Sequence, residues 1–133
     1  MVELRNLTKT RIGEKKLQRL AEAILKKEKK SGKDLSIVFL DGKRIQELNR
    51  VYRGRNEVTN VLSFSEEELG LGEVVLCPAK IRKDAKKYGI TFKTELYRIF
   101  IHGLLHLLGY DHKNNADFKK MSQKEEQYLL LTS

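Results

Sequence analysis

Asn60-Val61-Leu62-Ser63-Phe64-Ser65-Glu66-Glu67-Glu68-Leu69-Gly70-Leu71-Gly72-Glu73-Val74-Val75-Leu76 decides the fold class. Residues 60–64 and 72–76 each read as a short strand rich in apolar side chains, and only an acidic, glycine-containing loop joins them. Strict β-α alternation therefore breaks here. Upstream, Leu35 to Leu40 reads as a buried strand, and Asp41-Gly42 is a turn signal ahead of a short helix through Ile45, Leu48 and Tyr52, closed by Arg53-Gly54-Arg55-Asn56. Further out, residues 2–7 alternate apolar and polar as a half-buried strand does. From Glu14 to Lys30 the residues Leu17, Leu20, Ala21, Ile24 and Leu25 stack on one face of a basic amphipathic helix. Downstream, Pro78 suits the first turn of a helix over 78–88 ended by Gly89. A longer helix follows from Thr94 to Leu108, ended by Gly109, and a last one from Ala116 to Leu131. The pattern predicts an α+β fold: a mixed sheet of four or so strands packed with helices. No repeat or linker divides residues 1–133, and the length suits one domain.

Lys and Arg number 27 against 18 Asp and Glu, a formal charge of +9 that favours an anionic partner. The same balance also arises from surface ion-pair networks in heat-adapted proteins, so charge alone does not specify nucleic acid. No apolar stretch approaches the roughly 20 residues needed to span a bilayer, which excludes a membrane-spanning protein. The start, Met1-Val2-Glu3-Leu4-Arg5, lacks a signal-peptide core, and Cys77 is the only cysteine. A reducing cytoplasm is the expected compartment.

All the histidines fall in one window, His102-Gly103-Leu104-Leu105-His106-Leu107-Leu108-Gly109-Tyr110-Asp111-His112. Four residues apart on a helix, His102 and His106 share a face, and a turn at Gly109 can bring His112 back toward them. The alternative is three ordinary histidines near a helix end, capping carbonyls or packed in the core. The spacing favours the metal: three neutral imidazoles leave a tetrahedral Zn²⁺ one open position, the mark of a catalytic site. Zinc lowers the pKa of such a water to about 7, so hydrolysis is the expected chemistry. His-x3-His-x2-Gly-x2-His is a zincin-like spacing, but zinc proteases place a general-base Glu immediately after the first His, where this chain has Gly103. Peptide hydrolysis is disfavoured.

The same window resembles the signature of the YbeY family of bacterial metal-dependent endoribonucleases. Leu48-Asn49, Tyr52-Arg53-Gly54 and Thr59-Asn60-Val61-Leu62-Ser63-Phe64 resemble a second block of that family, and Leu71-Gly72-Glu73-Val74 a third; Met121 and Glu125 follow at familiar intervals. Ser65 stands where a proline is common, and Asn60 and Glu73 are variants of the pattern. The resemblance implies one zinc ion per chain on His102, His106 and His112. It also implies cleavage of single-stranded RNA in ribosomal RNA processing and ribosome biogenesis, with ribosomal RNA and the small ribosomal subunit as partners and neither DNA nor membrane. Arg53 matches the arginine the family places near the site, where a guanidinium would fork onto phosphate oxygens. By position alone Arg53 is a helix C-terminal surface arginine.

Other residues carry two readings each. Asp111 either orients a ligand imidazole or caps the following turn. Glu95 and Arg98 either reach the rim of the metal pocket or, more in keeping with their spacing, pair with each other. Ser63 and Thr59 contact RNA or make strand-edge and turn hydrogen bonds. Cys77 as a fourth ligand would close the site, so a small buried side chain is expected there. Glu66, Glu67 and Glu68 read as a solvated loop, with a second cation as the remoter alternative. Basic residues from Lys15 to Lys30 and from Lys80 to Lys93 either dock phosphate backbone or are merely solvated. The leading expectation is a zinc hydrolase, an endonuclease of RNA. A metal-stabilised RNA- or ribosome-binding assembly factor comes second and a metalloprotease-like hydrolase third, and a three-histidine site would also accept nickel or copper.

Overall fold

The computed structural model describes residues 1–66 and 70–132. The order is β1 (Val2–Asn6), α1 (Glu14–Lys27), β2 (Leu35–Phe39), α2 (Gly42–Arg53), β3 (Val61–Ser65), β4 (Gly72–Leu76), α3 (Pro78–Tyr88), α4 (Phe92–Leu107) and α5 (Asn115–Leu129), with a turn of 3-10 helix at Leu130–Thr132. The sheet runs β1-β2-β4-β3. β1, β2 and β4 are parallel, and β3 pairs antiparallel with β4, Val61 opposite Leu76 and Ser65 opposite Gly72. The short connection after β3 can only reverse the chain, which makes β3 an antiparallel edge on an otherwise parallel sheet. The expected α+β fold with a mixed four-stranded sheet is the one observed.

The period of two along β2 and β4 divides the core between the sheet's faces. Leu35, Ile37, Phe39, Val74 and Leu76 face α1 and α4, with Met121 and Tyr128 of α5 joining that cluster. Val38, Val75 and Leu62 point the other way and are covered by Ile45 of α2. α4 is therefore buried along most of its length, the charged Glu95 included.

Several helix ends differ from the sequence expectation. α1 stops at Lys27, short of Lys30: the amides of Glu28 and Lys30 close on the carbonyls of Ile24 and Leu25, and Lys29 takes φ 59°. That turn swings Glu28 inward. α4 begins at Phe92 because the Thr91 hydroxyl accepts from the Thr94 amide at 3.1 Å, a side-chain cap that the hydrophobic pattern does not reveal. α5 starts at Asn115, capped by Asn114, and tightens into the 3-10 turn before Leu131. Glu67 and Glu68 lie outside the described residues. No described helix is long and apolar enough to cross a membrane.

Candidate metal centre

The C-terminal half of α4 carries His102 and His106 one turn apart. Their rings meet edge-on with centroids 4.6 Å apart and Nε2 atoms 3.1 Å apart. Gly109, at φ 96°, lets the chain leave α4 sharply; its amide bonds the His106 carbonyl and that of Tyr110 bonds the Leu105 carbonyl. The turn carries His112 back, its centroid 5.4 Å from that of His106 and 6.1 Å from that of His102. Imidazoles radiating from one tetrahedral zinc ion would have centroids about 5 Å apart and donor nitrogens roughly 3.3 Å apart. The His102 and His106 nitrogens thus stand at a spacing that two ligands of one ion could adopt. Among the described residues no three His, Cys, Asp or Glu side chains stand in a finished ligand arrangement, and His112, on the exposed turn, is the ring farthest out. The donor chemistry suits a divalent ion of borderline softness. Burial, reinforced by the neighbouring His102 and His112, holds His106 below the usual histidine pKa, which favours the neutral form ligation requires.

One ring nitrogen of His102 is committed elsewhere. Nδ1 lies 3.2 Å from Oε1 of Glu125 on α5. Asp111, weighed from sequence for such a role, instead accepts from the backbone amide of His112 at 2.6 Å and lies 3.8 Å from the Lys113 ammonium. Its turn-capping reading is the one the structure supports. Glu125 is the contact sequence reasoning missed: its interval after the histidines was noticed, but no spacing rule announces a partner on another helix.

A cleft of about 550 Å³ opens beside the histidines, between α4, β3 and the end of α2. Arg53 closes α2 and reaches over the sheet edge, its Nη2 donating to the Ser63 carbonyl at 3.0 Å. The Ser63 hydroxyl donates to the Gly103 carbonyl at 2.9 Å, so its structural reading holds. Asn49, Arg55, Glu57 and Thr59 line the same cleft. Asn49 is buried and donates to the Glu57 carbonyl at 3.0 Å, which ties the loop after α2 to that helix.

Gly103 has a steric reason. A Cβ there would stand 3.0 Å from Val61 Cγ2, 3.2 Å from Ser63 Oγ and 3.2 Å from Val74 Cγ1. A side chain there would press on Val61, Ser63 and Val74, so the close approach of α4 to the sheet favours glycine at this position. Glu95 and Arg98 are an ion pair, with Arg98 Nε 2.7 Å from Oε1 and Nη2 3.1 Å from Oε2. Cys77 is buried before α3, away from the histidines, and burial pushes its thiol pKa up. No residue of the Lys15 to Lys30 or Lys80 to Lys93 clusters lines the cleft. Within the second cluster Lys80 pairs with Asp84 and Arg82 lies over the Phe92 ring.

An edge-strand cleft with converging imidazoles on one wall and arginines on the other defines a candidate hydrolase for an anionic substrate. Residues 3–132 match the family model described as Endoribonuclease YbeY, and the chain belongs to that family. Relatives carrying that description include a Petrotoga mobilis protein, 42% identical over 89% of this chain and 85% of its own length. A Sulfurovum protein is 38% identical over 97% and 88% respectively. A Bdellovibrio bacteriovorus relative is 44% identical, but the match spans 67% of this chain and only 60% of that protein. Among solved structures, a Thermotoga maritima protein determined in solution superposes with a TM-score of 0.70 at 33% identity, covering 97% of this chain and 87% of that one.

Proposed function

We propose that this chain is a zinc-dependent endoribonuclease that cuts single-stranded RNA. Its setting would be ribosomal RNA processing and ribosome quality control in the cytoplasm, with ribosomal RNA and the small ribosomal subunit as partners. The observation that carries the reading is the 3.1 Å approach of His102 and His106 Nε2 in the cleft that Arg53 edges. His102, His106 and His112 would hold the ion, one per chain. Zinc bound there would supply Lewis acidity toward a phosphoryl oxygen and make a nearby water more acidic.

The protein's own groups do the rest. Arg53 is anchored through one N–H to the Ser63 carbonyl, which aims the planar fork along the cleft where a phosphodiester would lie. Its charge opposes the negative charge that grows on phosphate oxygens during substitution. Asn49 holds the loop that shapes the floor. Gly103 supplies no base, so the nucleophile's proton must leave by another route, and attack by the neighbouring 2′-hydroxyl or by water would show in the product ends.

Gly103 also favours examining a second reading, an RNA-binding assembly factor with little catalysis. Titrating the purified protein with a defined ribosomal RNA fragment before and after zinc removal separates the two. Binding that survives while cleavage disappears supports the enzyme; no cleavage in either state supports the binding factor.

A further inference from the structure

The Glu125–His102 contact joins two helices at the ring nitrogen opposite the one that faces His106. We infer that Glu125 is a positioning residue. By accepting the Nδ1 proton of His102 it fixes the rotation and tautomer of that ring, so Nε2 presents its lone pair toward His106 Nε2. The inference rests on the three-histidine reading of the site and names what keeps its first ligand aimed.

Three observations carry it beyond a chance surface pair. The contact is sheltered, with the His102 side chain 34% and that of Glu125 25% exposed. Asp111, the carboxylate nearest in sequence to the ligands, is engaged by the His112 amide. Finally, Arg98, one turn before His102 on α4, is paired with the fully buried Glu95, and the Glu125 charge helps keep its guanidinium protonated. Glu95 holds Arg98, Arg98 attracts Glu125, and Glu125 holds His102.

The test reads the metal-free protein first. Long-range ¹⁵N–¹H NMR of the histidine rings should show His102 as the Nδ1–H tautomer in the wild type and in Glu125→Gln, whose amide oxygen still accepts, and a tautomer mixture in Glu125→Ala. Zinc affinity, measured by competition with a chromophoric chelator, should fall about 10- to 100-fold in Glu125→Ala and largely recover in Glu125→Gln. A His102 tautomer unchanged in Glu125→Ala overturns the inference, as does zinc affinity within twofold of wild type once the tautomer is lost. Should Glu125→Ala fail to fold, Glu125→Asp withdraws the carboxylate by one methylene and carries the same expectations. A wild type that binds no zinc would count against the metal site, while the tautomer comparison would still decide the role of Glu125.

Discussion

Ser63 and Gly103 are joined by a 2.9 Å hydrogen bond from the serine hydroxyl to the glycine carbonyl, and the Ser63 carbonyl in turn accepts from Arg53. One residue of the edge strand thus sets the spacing between the histidine helix and the arginine. The cleft's geometry depends on how closely α4 lies against β3.

Gly103→Ala should destabilise the protein by about 1 kcal/mol. Overpacking costs about 1–3 kcal/mol, and the better helix propensity of Ala returns up to about 1. Denaturant midpoints measure this. A midpoint equal to or above that of the wild type would mean that Val61, Ser63 and Val74 yield without strain.

Arg53→Ala should retain zinc and fold normally while RNA cleavage falls about 100-fold or more, the scale seen when one donor to a developing oxyanion is removed. Arg53→Lys keeps the charge but not the fork and should recover only part of the rate. Undiminished cleavage in Arg53→Ala would assign Arg53 to holding the end of α2 against Ser63.

Glu28 predicts a pH dependence. Burial opposes ionisation of its carboxyl, but hydrogen bonds from Tyr128, Tyr110 and Lys124 outweigh that and hold the pKa below the ordinary value. The contribution is therefore complete above the unfolded-chain pKa of about 4.3 and is lost as pH falls through the lower folded value. Glu28→Gln should cost about 1.5–3 kcal/mol at pH 7, and the difference from wild type should shrink in acid. Urea unfolding at pH 7 and pH 3 checks both; an equal difference at the two pH values would rule the ionised carboxylate out as its source. Tyr110 is raised to about 12 by burial and by this carboxylate, and it belongs to the turn that carries His112, so Glu28→Gln should also weaken zinc binding.

Much of the fold was legible because its signals are local. Alternation over residues 2–7 and apolar runs at 35–40, 60–64 and 72–76 marked the strands, and the few residues between the last two are too short for a parallel crossover. The misplaced helix ends depended on side-chain caps at Thr91 and Asn114 and on a positive φ at Lys29, which hydrophobic period does not encode. In the site, His102 and His106 were readable because four residues make one helical turn. Arg53 entered through the family resemblance, since nothing in its position required it to cross the sheet edge to Ser63. Glu125 was unreadable as a partner of His102 because only the packing of α5 on α4 brings them together. The role of Gly103 was half legible: the missing carboxylate showed in sequence, the crowding that favours glycine only in three dimensions.

Elemental analysis paired with cleavage of a defined ribosomal RNA fragment, run on the wild type and on His106→Ala, tests the central claim most directly. The wild type should carry one zinc ion per chain and cut, and His106→Ala should do neither. A metal-free His106→Ala protein that cuts RNA at the wild-type rate would contradict the account.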